Sequence, residues 1–281
     1  MIMFRKNINN NTFILTMLAM FLFQTNCSQV GQYNTFSTDE EILIGQRYSS
    51  QIEKDLSINQ NTEINRYINE IGQKLVAVSK RNNIQFTFKV VNDNAVNAFA
   101  LPGGFCYVNT GLILFSDNES QLSSVISHEI GHVVAAHSAK RMSKSRLINQ
   151  VLALGEILGM IFIGQSTTEN ALIVADIAST GALLKYSRND ELEADRLAIQ
   201  QMHDAGINPK GSQQFFKKIS SKDANNSTAL DQIMSTHPAT EDRIKQAAKI
   251  IEKLPNKNYA TITNKRLNKI KELLETADTK N

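Results

Sequence analysis

The chain has 281 residues, 42% of them hydrophobic and 20% charged, with a formal net charge of +3. That is enough apolar material for a real core, which excludes wholesale disorder, and too little positive charge for a nucleic-acid binder. Two cysteines exclude a disulfide scaffold and any four-cysteine metal module, while two of the five histidines stand four residues apart.

Residues 1–26 read as a signal peptide. Arg5 and Lys6 precede an apolar run of eleven residues, Phe13 to Phe23. At 1.5 Å per helical residue this run is too short to cross roughly 30 Å of hydrocarbon comfortably. Cys27 follows at the place where bacterial lipoproteins carry their acylated cysteine, although Gln24-Thr25-Asn26 departs from the usual small residues before it. The expectation is an exported chain held by a lipid anchor at Cys27 on the periplasmic face of the cell envelope. An ordinary cleaved signal, or an uncleaved anchor, is the alternative. Ser28 after the cysteine avoids an aspartate retention signal and favours the outer membrane. Removing the signal takes away Arg5 and Lys6 and no acid, so the positive charge belongs mostly to the address.

Thr38 to Ser57 is a first helix, capped by Ser37 or Thr38. Thr62 to Lys80 places Ile64, Tyr67, Ile68, Ile71, Leu75 and Val76 at helical spacing. Ile84 to Val91 alternates and is rich in β-branched and aromatic residues, as a strand requires. In Phe99 to Leu114, a Pro102-Gly103-Gly104 turn leads into a second strand, Phe105 to Asn109. This strand is either an exposed edge or an interior strand. Ser116 to Asn118 cap a long helix, Glu119 to Met142. Leu147 to Gly164 is strongly apolar, but Asn149, Gln150 and Glu156 argue for a buried helix or an amphipathic lid rather than a membrane span. Ala171 to Leu184 and Asn189 to Ala205 are helical, and Gly206 with Pro209 stops the second. Gly211 to Lys222, Glu241 to Lys253 and Ile262 to Thr276 are further helices. No repeat or Pro/Gly-rich linker divides the chain. The fold class is α+β, mainly helical, with a small sheet beside the Glu119 helix.

That helix contains Ser127-His128-Glu129-Ile130-Gly131-His132. Four residues apart, His128 and His132 lie on one helical face and can reach one metal ion, expected to be a single zinc. Glu129 beside them can contact a water rather than the metal. Apolar flanks such as Leu122, Ile126, Ile130 and Val133 mark a buried helix, in which unpartnered imidazoles would be costly. On a continuous helix His137 sits about 180° from His128 and faces away. A third ligand is sought downstream, in Tyr186-Ser187-Arg188-Asn189-Asp190-Glu191-Leu192-Glu193-Ala194-Asp195. Glu191 and Asp195 share a face there. Glu191 is the expected third ligand, and Asp195 the carboxylate that orients a ligand histidine. Asp190 and Glu193 suit a solvated helix start.

With these residues in view, the chain resembles the zinc metallopeptidases that include the CAAX prenyl proteases, the heat-shock membrane protease HtpX and periplasmic quality-control lipoproteins. The segments carrying the resemblance are Asn97 to Gly104 with Val108 to Leu112, Asn118-Glu119 through His132, Ser187 to Asp195, and Thr236-His237-Pro238 with Arg243. Four motifs in order, over roughly residues 37–250, are more specific than the histidine pair alone. The resemblance implies a gluzincin-like metallopeptidase domain over residues 27–254, followed by a helical tail over 255–281. It implies His128, His132 and Glu191 as zinc ligands, Glu129 as general base and Asp195 as a second acidic active-site residue. His237 matches a histidine near the metal, which either stabilises the tetrahedral intermediate or fills the open metal position in a latent state. Arg243 supports an oxyanion or forms a salt bridge. The function expected is a zinc endopeptidase of misfolded or stalled envelope proteins, bound as an added β-strand along Phe105 to Asn109. The alternative is a largely latent zinc protein acting as a chaperone-like outer-membrane assembly factor.

Overall fold

A computed structural model describes residues 33–147, 186–220, 228–259 and 264–278. The signal segment, Cys27, nearly all of the apolar stretch to Gly164 and the predicted helix to Leu184 lie outside the described residues.

Helix α1 (Thr38–Ile52) begins with a capping box in which Ser37 Oγ accepts from the Glu40 amide and Glu40 accepts from the Ser37 amide. Helix α2 (Thr62–Val76), capped by Asn61, buries the apolar stripe that its periodicity predicts. Strands β1 (Thr87–Val91), β2 (Ala98–Leu101) and β3 (Phe105–Asn109) form one sheet in the order β1-β3-β2. β1 runs parallel to β3, with Thr87 opposite Phe105, and β2 runs antiparallel to it, with Ala98 opposite Val108. β2 and β3 are joined by the Pro102–Gly104 turn, where Gly103 takes a φ of 75° and its missing Cβ would stand 2.6 Å from Ile42 Cα. β3 is therefore the central strand. The alternative that treats Phe105–Asn109 as an exposed edge is overturned, because both of its hydrogen-bonding sides are already taken.

A short helix α3 (Thr110–Phe115) leads to α4 (Glu119–Val134), whose cap is Asn118. Every residue of α4 from Ser120 to Val133 is buried. It packs against α2, β2, α5 (Arg188–Asp204) and α6 (Lys210–Ile219). Contact with α5 is closest at Gly131, where a Cβ would stand 2.9 Å from the Ala194 carbonyl oxygen. The continuous helix expected from Glu119 to Met142 is instead two. It stops at Val134, Ala136 adopts a left-handed φ of 55°, and residues 137–147 resume as a helix. A left-handed non-glycine residue costs about 1–2 kcal/mol, and Ala135-Ala136 carries no breaker that would announce it.

Helices α7 (Asp231–Thr236), α8 (Glu241–Lys253) and α9 (Lys265–Asp278) complete the described chain. Leu267, Ile270 and Leu274 of α9 join the same buried cluster as α2, α4 and the inner sheet face. A second cluster, Val91, Phe99, Leu101 and Tyr107 with Tyr48 and Ile52, seats α1 beside the sheet. Among the described residues no helix is long and apolar enough to cross a membrane. Because Leu267 is 1% exposed, Leu267→Ala is expected to destabilise the whole domain by about 2–5 kcal/mol. A single urea transition with a lower midpoint and an unchanged slope would show it.

Candidate active site

Four elements bring the predicted residues together. α4 supplies His128, Glu129 and His132, α5 supplies Glu191 and Asp195, the residue ending α7 is His237, and α8 supplies Arg243. α5 starts where it does because Ser187 and Asp190 form a capping box, which sets Glu191 in the first turn facing α4.

His128 Nε2 lies 2.9 Å from His132 Nε2, 3.3 Å from His237 Nδ1 and 3.3 Å from Glu191 Oε2. Glu191 Oε1 lies 3.4 Å from His132 Nε2 and 3.0 Å from His237 Nδ1. A zinc ion with arms of about 2.0–2.1 Å sets tetrahedral donor–donor spacings of roughly 3.3–3.4 Å, close to these. The donor set therefore fits zinc, and these four residues could hold one metal ion. Charge fits too. Glu129, Glu191 and Asp195 are all buried against one buried guanidinium, Arg243, so with neutral imidazoles the cluster lacks positive charge suited to a divalent cation.

Burial opposes charge on His128, but Glu191 and a hydrogen bond to Asp195 outweigh it and push its pKa up to about 10. Burial holds His132 well below its ordinary value. Burial works against ionised Glu191 as well, yet the His128 charge and hydrogen bonds from the histidines keep it far below the usual carboxylate range. Glu129 is raised by burial, and its Oε2 has no hydrogen-bond partner, so a carboxylate oxygen is held ready beside the cluster.

Around the four donors the contacts are specific. Asp195 Oδ1 lies 2.9 Å from His128 Nδ1, which leaves His128 Nε2 facing the cluster. Arg243 forks onto Asp195, Nε to Oδ2 at 2.7 Å and Nη2 to Oδ1 at 2.8 Å. Its Nη1 lies 2.6 Å from Glu191 Oε2 and also donates to the Pro238 carbonyl. Of the two expectations for Arg243, the structure shows the salt bridge. Its donors are engaged by Asp195, Glu191 and the Pro238 carbonyl.

His137 corrects the sequence reading. The left-handed turn at Ala136 swings it back, and its Nδ1 lies 2.8 Å from His132 Nδ1. Its Nε2 is 3.3 Å from Glu193 and 3.6 Å from Asp190. The two carboxylates assigned to a solvated helix start thus face a buried imidazole. Tyr186 was missed altogether. Its ring stacks on His132 at 3.7 Å and its hydroxyl pairs with Ser138. Its place one residue before the Ser187 cap was the only available signal.

Residues 62–251 match peptidase family M48. The chain belongs to peptidase family M48. It is 32% identical over 218 residues to the beta-barrel assembly-enhancing protease of Escherichia coli (strain K12), covering 76% of this chain and 44% of that protein. It is 29% identical over 214 residues to the putative beta-barrel assembly-enhancing protease of Vibrio cholerae, with 75% and 44% covered. It is 29% identical over 189 residues to the mitochondrial metalloendopeptidase OMA1 of Schizosaccharomyces pombe, with 67% and 52% covered. The chain thus spans about half the length or less of these relatives. They belong to a different M48 branch from the CAAX prenyl proteases and HtpX, so that part of the resemblance is corrected. Within this M48 domain, His137→Ala removes the partner of a candidate ligand histidine, and zinc affinity is expected to fall about 10–100-fold. Chelator competition on the purified chain measures it.

Proposed function

We propose that this M48 chain is a zinc-dependent endopeptidase of the bacterial envelope, acting on misfolded or stalled envelope proteins. The observation that carries it is the cluster of four metal donors with the unpartnered Glu129 Oε2 beside it. Bound there by His128, His132 and Glu191, zinc would act as a Lewis acid that acidifies water and polarises a carbonyl. Glu129 Oε2 takes the proton of the attacking water and delivers it to the departing amine nitrogen. Asp195 and Arg243 act behind the ligands: the first holds the His128 tautomer, and the second keeps Asp195 and Glu191 ionised.

The substrate class draws support from the relatives, which include beta-barrel assembly-enhancing proteases. The signal-like start and Cys27 support export and a lipid anchor, and Ser28 the outer membrane. An extended peptide would add to β2 rather than β3. The outer edge of β1 is already bridged by Ile58, with the Asn59 amide donating to the Val90 carbonyl, whereas β2 is the other outer strand and packs on α4.

One observation favours the second reading, a largely latent zinc protein. His237 Nδ1 joins the cluster as a fourth candidate donor, and catalytic zinc sites keep a fourth position open. The two readings meet if His237 caps a resting enzyme. Glu129→Gln with zinc retained is expected to lower cleavage of an unfolded, reduced protein by at least 100-fold. Undiminished cleavage would sink the peptidase reading. His237→Ala is expected to raise basal cleavage severalfold, measured on the same substrate at equal zinc content.

A further inference from the structure

Residues 33–36, just before α1, are fastened to the domain. The Thr35 amide and hydroxyl both donate to Ser143 Oγ, at 2.9 and 3.0 Å, and Asn34 Nδ2 donates to Glu41 Oε1 at 2.6 Å. The Arg146 guanidinium lies over the Phe36 ring, 5.6 Å from its centroid. Thr35 stands eight residues after Cys27. At no more than about 3.3–3.6 Å per residue, that stretch spans under roughly 30 Å. An acyl chain on Cys27 would therefore hold the helix over residues 137–147, which carries Ser143 and Arg146, close to a bilayer surface.

That helix has a cationic face. At about 100° per residue, Lys140, Arg141, Lys144 and Leu147 fall within an arc of about 120°, turned away from the buried Ala139. Lys144 and Leu147 are exposed, Lys140 and Arg141 are half-buried, and Arg146 is exposed on the flank beside Phe36. Residues 137–147 contain no acid. Among the described residues, none of these four cations sits in a salt bridge. At the adjoining start of α1, Glu41 is buried on Asn34 and Arg81, Glu40 closes the Ser37 cap, and Asp39 stays exposed. Tyr33 and Leu147 are 64% and 42% exposed, large apolar side chains left in solvent on either side of the Thr35–Ser143 contact. Cations set among exposed aromatic and aliphatic side chains suit a membrane surface. The charges gather at anionic headgroups, and the apolar groups enter the boundary with the acyl chains.

We propose that this face, Lys140, Arg141, Lys144 and Leu147 with Tyr33 and Arg146 beside it, docks the domain on anionic phospholipid headgroups. The inference rests on the envelope and lipid-anchor reading and adds the orientation of the domain. A lipid on Cys27 supplies attachment, and the cationic face decides which side meets the bilayer. The helix starts at His137, whose Nδ1 contacts His132, and Lys144 lies seven residues on, about 10 Å along the axis. Docking would therefore hold the donor cluster near the headgroups, with polypeptides exposed at the membrane surface as the ones within its reach.

The test uses the zinc-loaded chain from residue 27 onward with Cys27→Ala, so that no acyl group contributes. It is mixed with vesicles of phosphatidylglycerol and phosphatidylcholine in equal parts, or of phosphatidylcholine alone. At low salt, partition onto the anionic vesicles is expected to exceed that onto the neutral ones by at least about tenfold, and to lose this preference at high salt. Each cation removed is worth about fivefold, so Lys140→Ala with Lys144→Ala is expected to weaken partition about 25-fold. Lys245→Ala on α8 is expected to leave it unchanged. The chain has no tryptophan, so Leu147→Trp reports contact by a blue shift in emission that appears only with anionic vesicles, and Lys245→Trp is expected to show none. Equal partition onto both vesicles, partition unmoved by the double substitution, or no shift at Leu147→Trp overturns the proposal. So does a dimer that the double substitution dissolves, which would give the face to a second copy. Mass spectrometry of the chain exported with its own signal reads Cys27 separately. An unmodified Cys27 beside intact anionic-vesicle binding removes the anchor reading and leaves the face standing, while an acylated Cys27 on a chain indifferent to the vesicles removes the face alone.

Discussion

The structure is organised around one constraint: a helix buried along nearly its whole length carries two imidazoles and a carboxylate. α4 sits among α2, α5, α6 and the sheet, and its residues from Ser120 to Val133 are out of solvent. Buried polar groups of this kind persist only when neighbours complete them. Completion comes from α5, with Glu191 and Asp195, and from α8, with Arg243. Breaking such a buried charge set by removing one member costs about 3–5 kcal/mol, because the remainder is left uncompensated. The close packing at Gly131, where α4 and α5 leave no room for a Cβ, is what brings Glu191 within reach of both histidines.

The supporting groups form a graded series from the cluster outward. His128 is oriented by Asp195, which is held by Arg243, which stacks on Phe216. His132 is oriented by His137, which faces Glu193 and Asp190 nearer the surface, and is covered on one face by Tyr186. His128 and His132 thus each have one ring nitrogen committed to a supporting side chain and the other committed to the cluster. A site built this way holds its geometry without relying on solvent, as preorganised chemistry demands.

Much of this was legible in the residues. The apolar stripe of α2, the strand character before Val91, the capping residues of α1 and α4 and the Pro-Gly-Gly turn are local signals, and each appears where expected. The histidine pair and the Glu191–Asp195 pair obey helical spacing, so their faces could be assigned without tertiary information. His137 could not. Its position depends on a left-handed Ala136 that alanine does not favour, stabilised only by the packing on either side. The place of β3 was equally hidden, since strand order depends on long-range pairing and Phe105–Asn109 reads the same at an edge or in the middle.

The sequence by itself determined the elements, the identity of the chemistry-bearing side chains and the faces they share, because those follow from periods of 2 and 3.6 residues along a few turns of chain. Only the tertiary structure decided that β3 is central, that Arg243 clamps Asp195 and Glu191, that His137 and Tyr186 support His132, and that His237 joins the metal-donor cluster. Those are contacts between residues from 5 to more than 100 positions apart, and they depend on how buried helices pack rather than on any local preference.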